Sequence, residues 1–388
     1  MSFFNSNQGT KLFLDIRSGS IGATLAVDRG AGGREIVVSL RKRLPIQLEF
    51  QAERLIAKLP QILGDVLRDV LRCSGGKHPS TIHLSLAAPW QVAQARTVTH
   101  KGEQPIEYSR NLEADLIGAE QALFLREFFP EGAAQVIECK TFSTELNGYR
   151  TGDPSGKKAS EFKFSFYLSG APTELVELLA SCVRSVYHRG EIVWHTFSLL
   201  SLVACNYYIQ GQASSYLLVD IGGEISEASV VSRQLTSEVL SFPLGAHRLL
   251  RTIATQFKTS IEEAESLYRA FLEGRVSEAI GKRIETTLAD IEVKWVAYMH
   301  GILEKIAGGG VLPRDVLVLG NKDTASLLLR VLGEATIKDL FKGNSDSRIA
   351  ILLPEMFLES YRTRLGTESP DIFLATEIFA IDKLSGLA

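Results

Sequence analysis

The sequence predicts a mixed α/β protein with more than one domain, and three observations support this class. The chain has 388 residues, which exceeds the size at which a single hydrophobic core keeps growing. Apolar residues make up 45% of the chain and charged residues 22%, as in ordinary soluble globular proteins. Strand-like alternation and helical periodicity follow one another along the chain, which predicts sheets covered by helices.

Composition and charge exclude several classes of protein. The formal net charge of -3 argues against a strongly basic nucleic-acid binder. The cysteines are far apart without a CxxC pair, which indicates reduced thiols in a cytosolic protein rather than a metal site or disulfide framework. The N-terminus lacks a basic region followed by an apolar one, so we expect no secretory signal. We therefore expect a cytoplasmic location. The cysteines are Cys73, Cys139, Cys182 and Cys205.

The first domain opens with the stretch "LFLDIRSGSIGATLAVD", from Leu12 to Asp28. It predicts a strand that ends near Asp15, a tight turn of small residues, and a second strand. A third strand follows over Arg34 to Ile46, then an amphipathic helix with apolar residues at helical spacing, then a strand over Thr81 to Pro89. This β-β-β-α-β order is typical of a sheet packed against helices. We also expect the apolar run from Phe197 to Ile209 to be a buried helix, since a membrane span needs about 20 residues.

A second unit interrupts this domain. Residues 90–185 follow the order β-α-β-β-α, with Phe162, Phe164 and Phe166 alternating as core residues of a strand. We therefore predict an inserted subdomain over 90–185 and a first domain made of 1–89 and 186–214.

The opening pattern recurs at "SYLLVDIGGEISEASVV", where Asp220 ends a strand before a glycine-rich turn. This recurrence predicts a second, related domain over 215–388, with a helical subdomain at about 258–310. A later strand ends in the turn Gly320-Asn321. The final segment, "PDIFLATEIFAIDKLSGLA", is predicted to be the last core helix of this second domain.

Both hairpins carry features that suit an anionic ligand. Small residues in a turn allow backbone N–H groups to point at phosphate oxygens. An acidic residue at the end of the strand can hold Mg²⁺ through water, because this cation keeps much of its hydration shell. One such hairpin is weak support for a phosphate site, and two of them with a late strand and glycine turn are more specific.

The motifs together resemble the actin-like ATPase superfamily. "LFLDIRSGSIGA" is similar to its first phosphate motif, "YLLVDIGGEISEASVV" to the second and "VLVLGN" to the adenosine motif. Within the superfamily the chain most resembles the bacterial cell-division protein FtsA, through "FPLGAHRLLRTIATQFKTSIEEAE" and "LNGYRTGDPSGKKASEF". PilM is the second most similar family. The resemblance implies an actin-like ATPase fold, in which two ribonuclease-H-like domains surround a nucleotide cleft and an FtsA-type subdomain is inserted in the first.

The resemblance also implies a site for ATP or ADP with magnesium. Asp15 and Asp220 match the aspartates that face the metal through water. Glu262 and Glu263 lie on the helix that contacts the ribose or adenine. The residues assigned to nucleotide binding are Asp15, Arg17, Ser18, Gly19, Ser20, Asp220, Gly222, Gly223, Glu224, Glu262, Glu263, Gly320 and Asn321.

Several residues depart from the family pattern. Arg17, Glu224 and Asn321 replace glycines, and Ile225 replaces a threonine that contacts phosphate. A carboxylate about 4 Å from a γ-phosphate oxygen costs roughly 4 kcal/mol at an effective dielectric constant of about 20. We hypothesise that Arg17 compensates, either by contacting phosphate or by pairing with Glu224. The second arrangement would keep the cleft closed without nucleotide.

The function implied by the resemblance is an FtsA-like scaffold in cell division, which binds ATP weakly, turns it over little and forms protofilaments. An FtsZ-like or other division protein is then the expected partner. The alternative is a PilM-like adaptor of a type IV pilus or secretion assembly. A small-molecule kinase is disfavoured, because no additional acidic base or sugar-binding insertion is visible. An actin-like fold without nucleotide and a pair of ordinary hairpins without ligand also stay open.

No motif identifies a catalytic residue that would activate water, so we expect at most a slow or degenerate ATPase. His195 and His247 are expected to be structural. The last segment carries Asp371, Glu377 and Asp382 against Lys383, so anionic lipid would not attract it. We therefore expect membrane attachment only through a partner, and no nucleic-acid partner.

Overall fold

The computed structural model describes residues 9–29, 33–209, 215–232, 235–308, 310–320, 322–341 and 348–385. Within these ranges the chain forms three sheets with helices packed against them. None of the helices in this described part combines the length and apolar character that crossing a membrane requires.

The first domain is built on a six-stranded sheet with the order β15-β3-β2-β1-β4-β9. β1, β2 and β3 are antiparallel neighbours, whereas β4 runs parallel to β1 and β9 parallel to β4. The strands are β1 (Thr10–Ile16), β2 (Ser20–Asp28), β3 (Arg34–Arg43), β4 (Thr81–Leu86), β9 (Glu191–Thr196) and β15 (Tyr361–Thr363).

Alternation along β1 places helices on both faces of this sheet. Leu12 and Leu14 belong to a buried cluster with α1 (Ala52–Cys73). Phe13 points to the opposite face and belongs to a cluster with α4 (Phe197–Tyr208). Because successive side chains of a strand alternate between faces, the apolar run from Leu12 to Leu14 in β1 must be covered on both sides.

The second domain repeats this arrangement with the order β12-β11-β10-β13-β14. As in the first sheet, an antiparallel three-stranded meander is extended by two parallel strands. The recurrence of the opening hairpin therefore corresponds to a recurrence of strand order. The elements are β10 (Ser215–Asp220), β11 (Ser226–Ser232), β12 (Leu235–Phe242), α5 (Ala246–Phe257), α6 (Ile261–Leu272), α7 (Glu278–Ala307), β13 (Asp315–Leu319), α8 (Lys322–Gly333), α9 (Ala335–Lys338) and β14 (Arg348–Ile351).

The inserted unit contains a four-stranded antiparallel sheet with the order β5-β8-β6-β7. Phe162, Phe164 and Phe166 are fully buried in one cluster with Phe124 of α2, which confirms that they form the core of this unit. The elements are β5 (Val92–Glu107), α2 (Arg110–Phe128), β6 (Ala134–Leu146), β7 (Tyr149–Thr151) and β8 (Lys158–Pro172).

Two helices lie elsewhere than predicted. α3 (Thr173–Val186), expected at the end of the inserted unit, packs mainly against α1 in the core of the first domain. α10 (Ile372–Ser385), expected in the second domain, packs against α4 and β1. The second prediction is wrong because β15 joins the edge of β3, which returns the chain to the first sheet. The domain boundaries themselves stay a prediction.

A buried polar network joins the inserted unit to the first sheet. Glu138 of β6 accepts hydrogen bonds from the Thr196 backbone N–H at 2.8 Å and from its hydroxyl at 2.7 Å. Its other oxygen lies 3.2 Å from Nδ1 of His195, whose Nε2 is 3.1 Å from Nδ1 of His83. Burial, followed by the neighbouring His195, lowers the pKa of His83 to about 3. His195 therefore has structural partners, as expected.

Candidate functional site

The first hairpin turn, residues 17–19, connects β1 to β2 at the boundary between the two domains. Asp15 pairs with Gly22 across the hairpin, and its side chain is fully buried. A Cβ at position 22 would overlap the guanidinium group of Arg41. Glycine at this position therefore allows Arg41 to approach the first of the two predicted metal aspartates.

The second turn, residues 221–225, connects β10 to β11 and follows Asp220 directly. A Cβ at Gly222 would overlap the carbonyl oxygen of Ile225, so the turn requires glycine there. The carbonyl groups of Gly222 and Gly223 accept hydrogen bonds from the first two N–H groups of α5, at 3.0 and 2.9 Å. The carbonyl groups of the turn thus provide hydrogen-bond acceptors for the N-terminal N–H groups of α5.

The two turns are in direct contact. A Cβ added to Gly223 would lie 2.5 Å from the Cα of Gly19, and one added to Gly19 would lie 2.9 Å from the Cα of Gly223. Beside this contact, the Glu224 backbone N–H donates to the hydroxyl of Ser18 at 3.0 Å. Two backbones this close leave no space between them for a phosphate group, and a turn amide that could bind phosphate already has a partner.

Arg17 occupies the space between the two predicted metal aspartates. Its Nη2 donates to both carboxylate oxygens of Asp220, at 2.5 and 2.6 Å, and its Nη1 lies 3.8 Å from Oδ1 of Asp15. The guanidinium carbon lies 3.8 Å from the ring centre of Phe373 and 4.5 Å from that of Phe197. Burial disfavours the charged form, but Asp220 and Asp15 outweigh it and raise the pKa of Arg17. A permanent cation is therefore held by two acids and two aromatic faces.

Arg41 performs a similar role for Asp15. Its Nη2 donates to Asp15 at 2.7 Å, its Nε donates to Asp371 at 2.5 Å, and its Nη1 donates to the Ser20 hydroxyl at 2.9 Å. Burial opposes ionisation of Asp371, but Arg41 lowers its pKa below the ordinary value. Glu377 lies close by, and burial, followed by the charge of Asp15, raises its pKa well above the ordinary value.

Glu224 is neutralised from its own domain. Arg251 donates to both of its carboxylate oxygens, at 2.9 and 2.6 Å, and Nδ1 of His247 lies 2.9 Å from one of them. Burial opposes ionisation, but the hydrogen bonds from His247 and Arg251 lower the pKa of Glu224. The hypothesis that Arg17 pairs with Glu224 is wrong, since Asp220 takes Arg17. The i, i+4 spacing of His247 and Arg251 on one face of α5 was the available sequence signal.

The predicted ribose contacts, Glu262 and Glu263, are not among the residues that line the cavity beside the turns. Glu262 and Glu263 are exposed in the first turn of α6. The Ser260 hydroxyl accepts the backbone N–H of Glu263 at 3.1 Å, and the Glu263 carboxylate accepts the backbone N–H of Ser260 at 3.2 Å. This capping box provides hydrogen-bond acceptors for two backbone N–H groups at the start of the helix that have no partner within it. The residues of α6 that line the cavity beside the turns lie further along the helix, at Glu265, Tyr268 and Arg269.

A cavity of about 410 Å³ remains beside the contacting turns. Its charged lining is largely paired, because Glu265 binds both Arg43 of the first domain and Arg269 of its own helix. Gly320, predicted to contact adenosine, packs against Ile221, because a Cβ added to Gly320 would lie 3.1 Å from the Cβ of Ile221. Asn321 lies outside the described residues. The cavity has the size of a small-molecule site. Five of the predicted nucleotide-binding residues line it, although the contact between Gly19 and Gly223 closes the gap between the two turns; the five are Arg17, Gly19, Ser20, Gly222 and Gly223.

Magnesium with a nucleotide does not fit the phosphate end of this site in the manner that the resemblance implies. A hydrated Mg²⁺ needs carboxylates that face water, whereas Asp15 and Asp220 are buried against guanidinium groups. Among the residues that the structure describes, no group of three or more His, Cys, Asp or Glu side chains could hold a metal ion.

Comparison with known proteins places the fold. No protein-family model matches the chain, and no curated protein matches it in sequence. Among solved structures, PilM from a PilM-PilN type IV pilus biogenesis complex is 14% identical, with 96% of this chain and 98% of that chain covered and a TM-score of 0.65.

Two further structures cover most of the chain. Ethanolamine utilization protein EutJ from Carboxydothermus hydrogenoformans is 14% identical over 96% of this chain and 89% of that chain, with a TM-score of 0.46. A Bacteroides thetaiotaomicron protein with an actin-like ATPase fold is 9% identical over 91% and 94%, with a TM-score of 0.42. The chain has the actin-like ATPase fold, which confirms the predicted fold class. The specific FtsA role stays a prediction.

Proposed function

We propose that this protein is an adaptor of the PilM type, which uses an actin-like body to hold a protein partner and does not turn over ATP. The observation that carries the proposal is the state of the predicted phosphate site. Its two turns are in backbone contact, and both predicted metal aspartates are paired with arginines. A fold whose predicted metal-facing aspartates are occupied by its own arginine side chains is better suited to binding than to hydrolysis.

The likeness to PilM supports the choice of partner class. PilM was solved in a complex with PilN, and the match extends over almost the whole of both chains. In line with the PilM-like alternative, we propose that the partner of this protein is a short segment of a membrane protein. The position of α10 is consistent with attachment through a partner, since this helix is buried against the first domain and does not present an apolar face.

The absence of turnover is tested by measuring phosphate release from Mg·ATP, together with a calorimetric titration of the same ligand. We expect release at the buffer rate and no binding at micromolar concentration, both in the wild type and in Asp220→Asn. Turnover in the wild type that Asp220→Asn abolishes would contradict the proposal.

The adaptor role is tested with peptides from the cytoplasmic N-terminal segments of membrane proteins encoded beside its gene. Fluorescence anisotropy should detect saturable binding of one peptide, with equal affinity in the presence and absence of Mg·ATP and none for a scrambled peptide. Mg·ATP-dependent pelleting, without peptide binding, would instead support the FtsA-like scaffold with its filaments and FtsZ-like partner.

A further inference from the structure

The contact between Arg17 and Asp220 joins the two domains at the base of the cleft. Asp15 belongs to the first sheet, Arg17 to the turn that follows it, and Asp220 to the second sheet. The partners of Arg17 come from β1, α4, α10 and β10, so its guanidinium group is enclosed by four separate elements. Only 3% of the residue is exposed, and ions in solution therefore screen this pair weakly.

Two neighbouring contacts connect the same pair of turns. Gly19 touches Gly223, and the Ser18 hydroxyl accepts the Glu224 N–H. All three contacts therefore involve consecutive residues of the first hairpin, and each of them reaches the second domain. Of the three contacts, the Arg17 charge pair is expected to be the most costly to break from one side, because that would leave a buried charge without its partner.

We propose that Arg17 is a built-in cation that holds the two domains closed without any ligand. A bound metal can bridge two buried acids only while it is present. A guanidinium group attached to the chain is always present and always charged, and its contact with two aromatic rings restricts it to one orientation. The closed cleft is then the permanent state of this protein. The inference concerns the conformation of the cleft and is independent of which partner the protein binds.

A double-mutant cycle on the intact chain tests the proposal, with Arg17→Met, Asp220→Leu and the double variant. The readout is amide hydrogen exchange, followed by mass spectrometry, in peptides that cover residues 17–24 and 217–226. Arg17→Met leaves Asp220 buried without its partner. We expect exchange in both turns to accelerate about 100-fold or more, the change equivalent to a loss of about 3 kcal/mol. The double variant, which leaves no unpaired charge on either side, should recover most of the protection.

Two further variants make the outcome specific. Arg17→Lys keeps the charge but lacks the planar fork, and we expect an intermediate acceleration of about tenfold. Arg43→Met removes a cation that pairs with Glu265 across the same cleft but is 63% exposed, and we expect nearly unchanged exchange. If Arg17→Met does not fold, recovery of a folded protein in the double variant supports the pair.

Wild-type exchange in Arg17→Met would overturn the proposal. So would a double variant that exchanges as fast as the two single variants combined. Repeating the exchange measurement in the presence of Mg·ATP distinguishes a failure of this proposal from a failure of the proposed adaptor function. Protection of the wild-type turns by Mg·ATP would count against the adaptor proposal and against ligand-independent closure, whereas failure of peptide binding alone would leave the cycle unaffected.

Discussion

Glu227 links the second domain to the rest of the chain by accepting hydrogen bonds from both sides. Its carboxyl group lies in β11 and is 6% exposed. Gln91 of the predicted inserted unit donates to it at 3.1 Å, Ser198 of the first domain at 3.0 Å and Ser241 of the second domain at 3.3 Å. Burial, followed by the negative charge of Asp220, raises the pKa of Glu227 to about 7 from an ordinary value of 4.5.

The sign of the pH effect follows from this shift. Because the folded state holds the proton more tightly, the stabilisation is fully present below pH 4.5 and is lost as the pH rises through 7. A shift of about 2.5 units corresponds to roughly 3.4 kcal/mol in total, of which about 2.5 kcal/mol falls between pH 5 and pH 8. The replacement Glu227→Gln mimics the protonated form and removes the titration.

The measurement is urea unfolding, followed by tryptophan fluorescence, at pH 5, 6, 7 and 8 for the wild type and Glu227→Gln. The difference between the two proteins isolates this group, because every other titrating side chain is common to both. We expect Glu227→Gln to gain about 2.5 kcal/mol relative to the wild type between pH 5 and pH 8. Parallel pH profiles would refute the reasoning.

Three other predictions concern single side chains. The pKa of His83 is lowered to about 3, so its contribution to the free energy of unfolding is present above pH 6.5 and is lost as the pH falls towards 3, by about 1.4 kcal/mol at pH 5.5. In urea unfolding, His83→Asn should therefore lose less stability than the wild type as the pH is lowered. Equal slopes of stability against pH in the two proteins would contradict this. Gly223→Ala should lower the free energy of unfolding by about 1–3 kcal/mol in thermal unfolding, because the added Cβ meets the opposite turn. The control Gly118→Ala, in open space on α2, should be neutral or stabilising. Equal effects of the two substitutions would contradict the turn contact. Arg251→Ala should cost about 2 kcal/mol by leaving Glu224 with one partner fewer, and an unchanged melting temperature would argue against that pair.

The local sequence pattern was sufficient to predict much of the fold. The hairpins around Asp15 and Asp220 were predictable because glycine and serine in a turn between two apolar strands specify that conformation over a few residues. The burial of Phe162 and Phe164 followed from alternation alone. The assignment of α10 failed because its apolar residues show no single preferred face, so its sequence does not indicate which sheet covers it.

Some features of the candidate site were likewise predictable from local sequence, whereas others depended on the tertiary structure. The sequence by itself determined which residues stand at the two turns, and that an arginine and a glutamate replace glycines there. Only the tertiary structure decided that Arg17 pairs with Asp220, that Arg41 takes Asp15, and that Glu224 is neutralised within its own domain. The physical reason is that turn conformation depends on neighbours in the chain, whereas the partner of a buried charge depends on which distant group the packing of two domains brings within hydrogen-bonding distance.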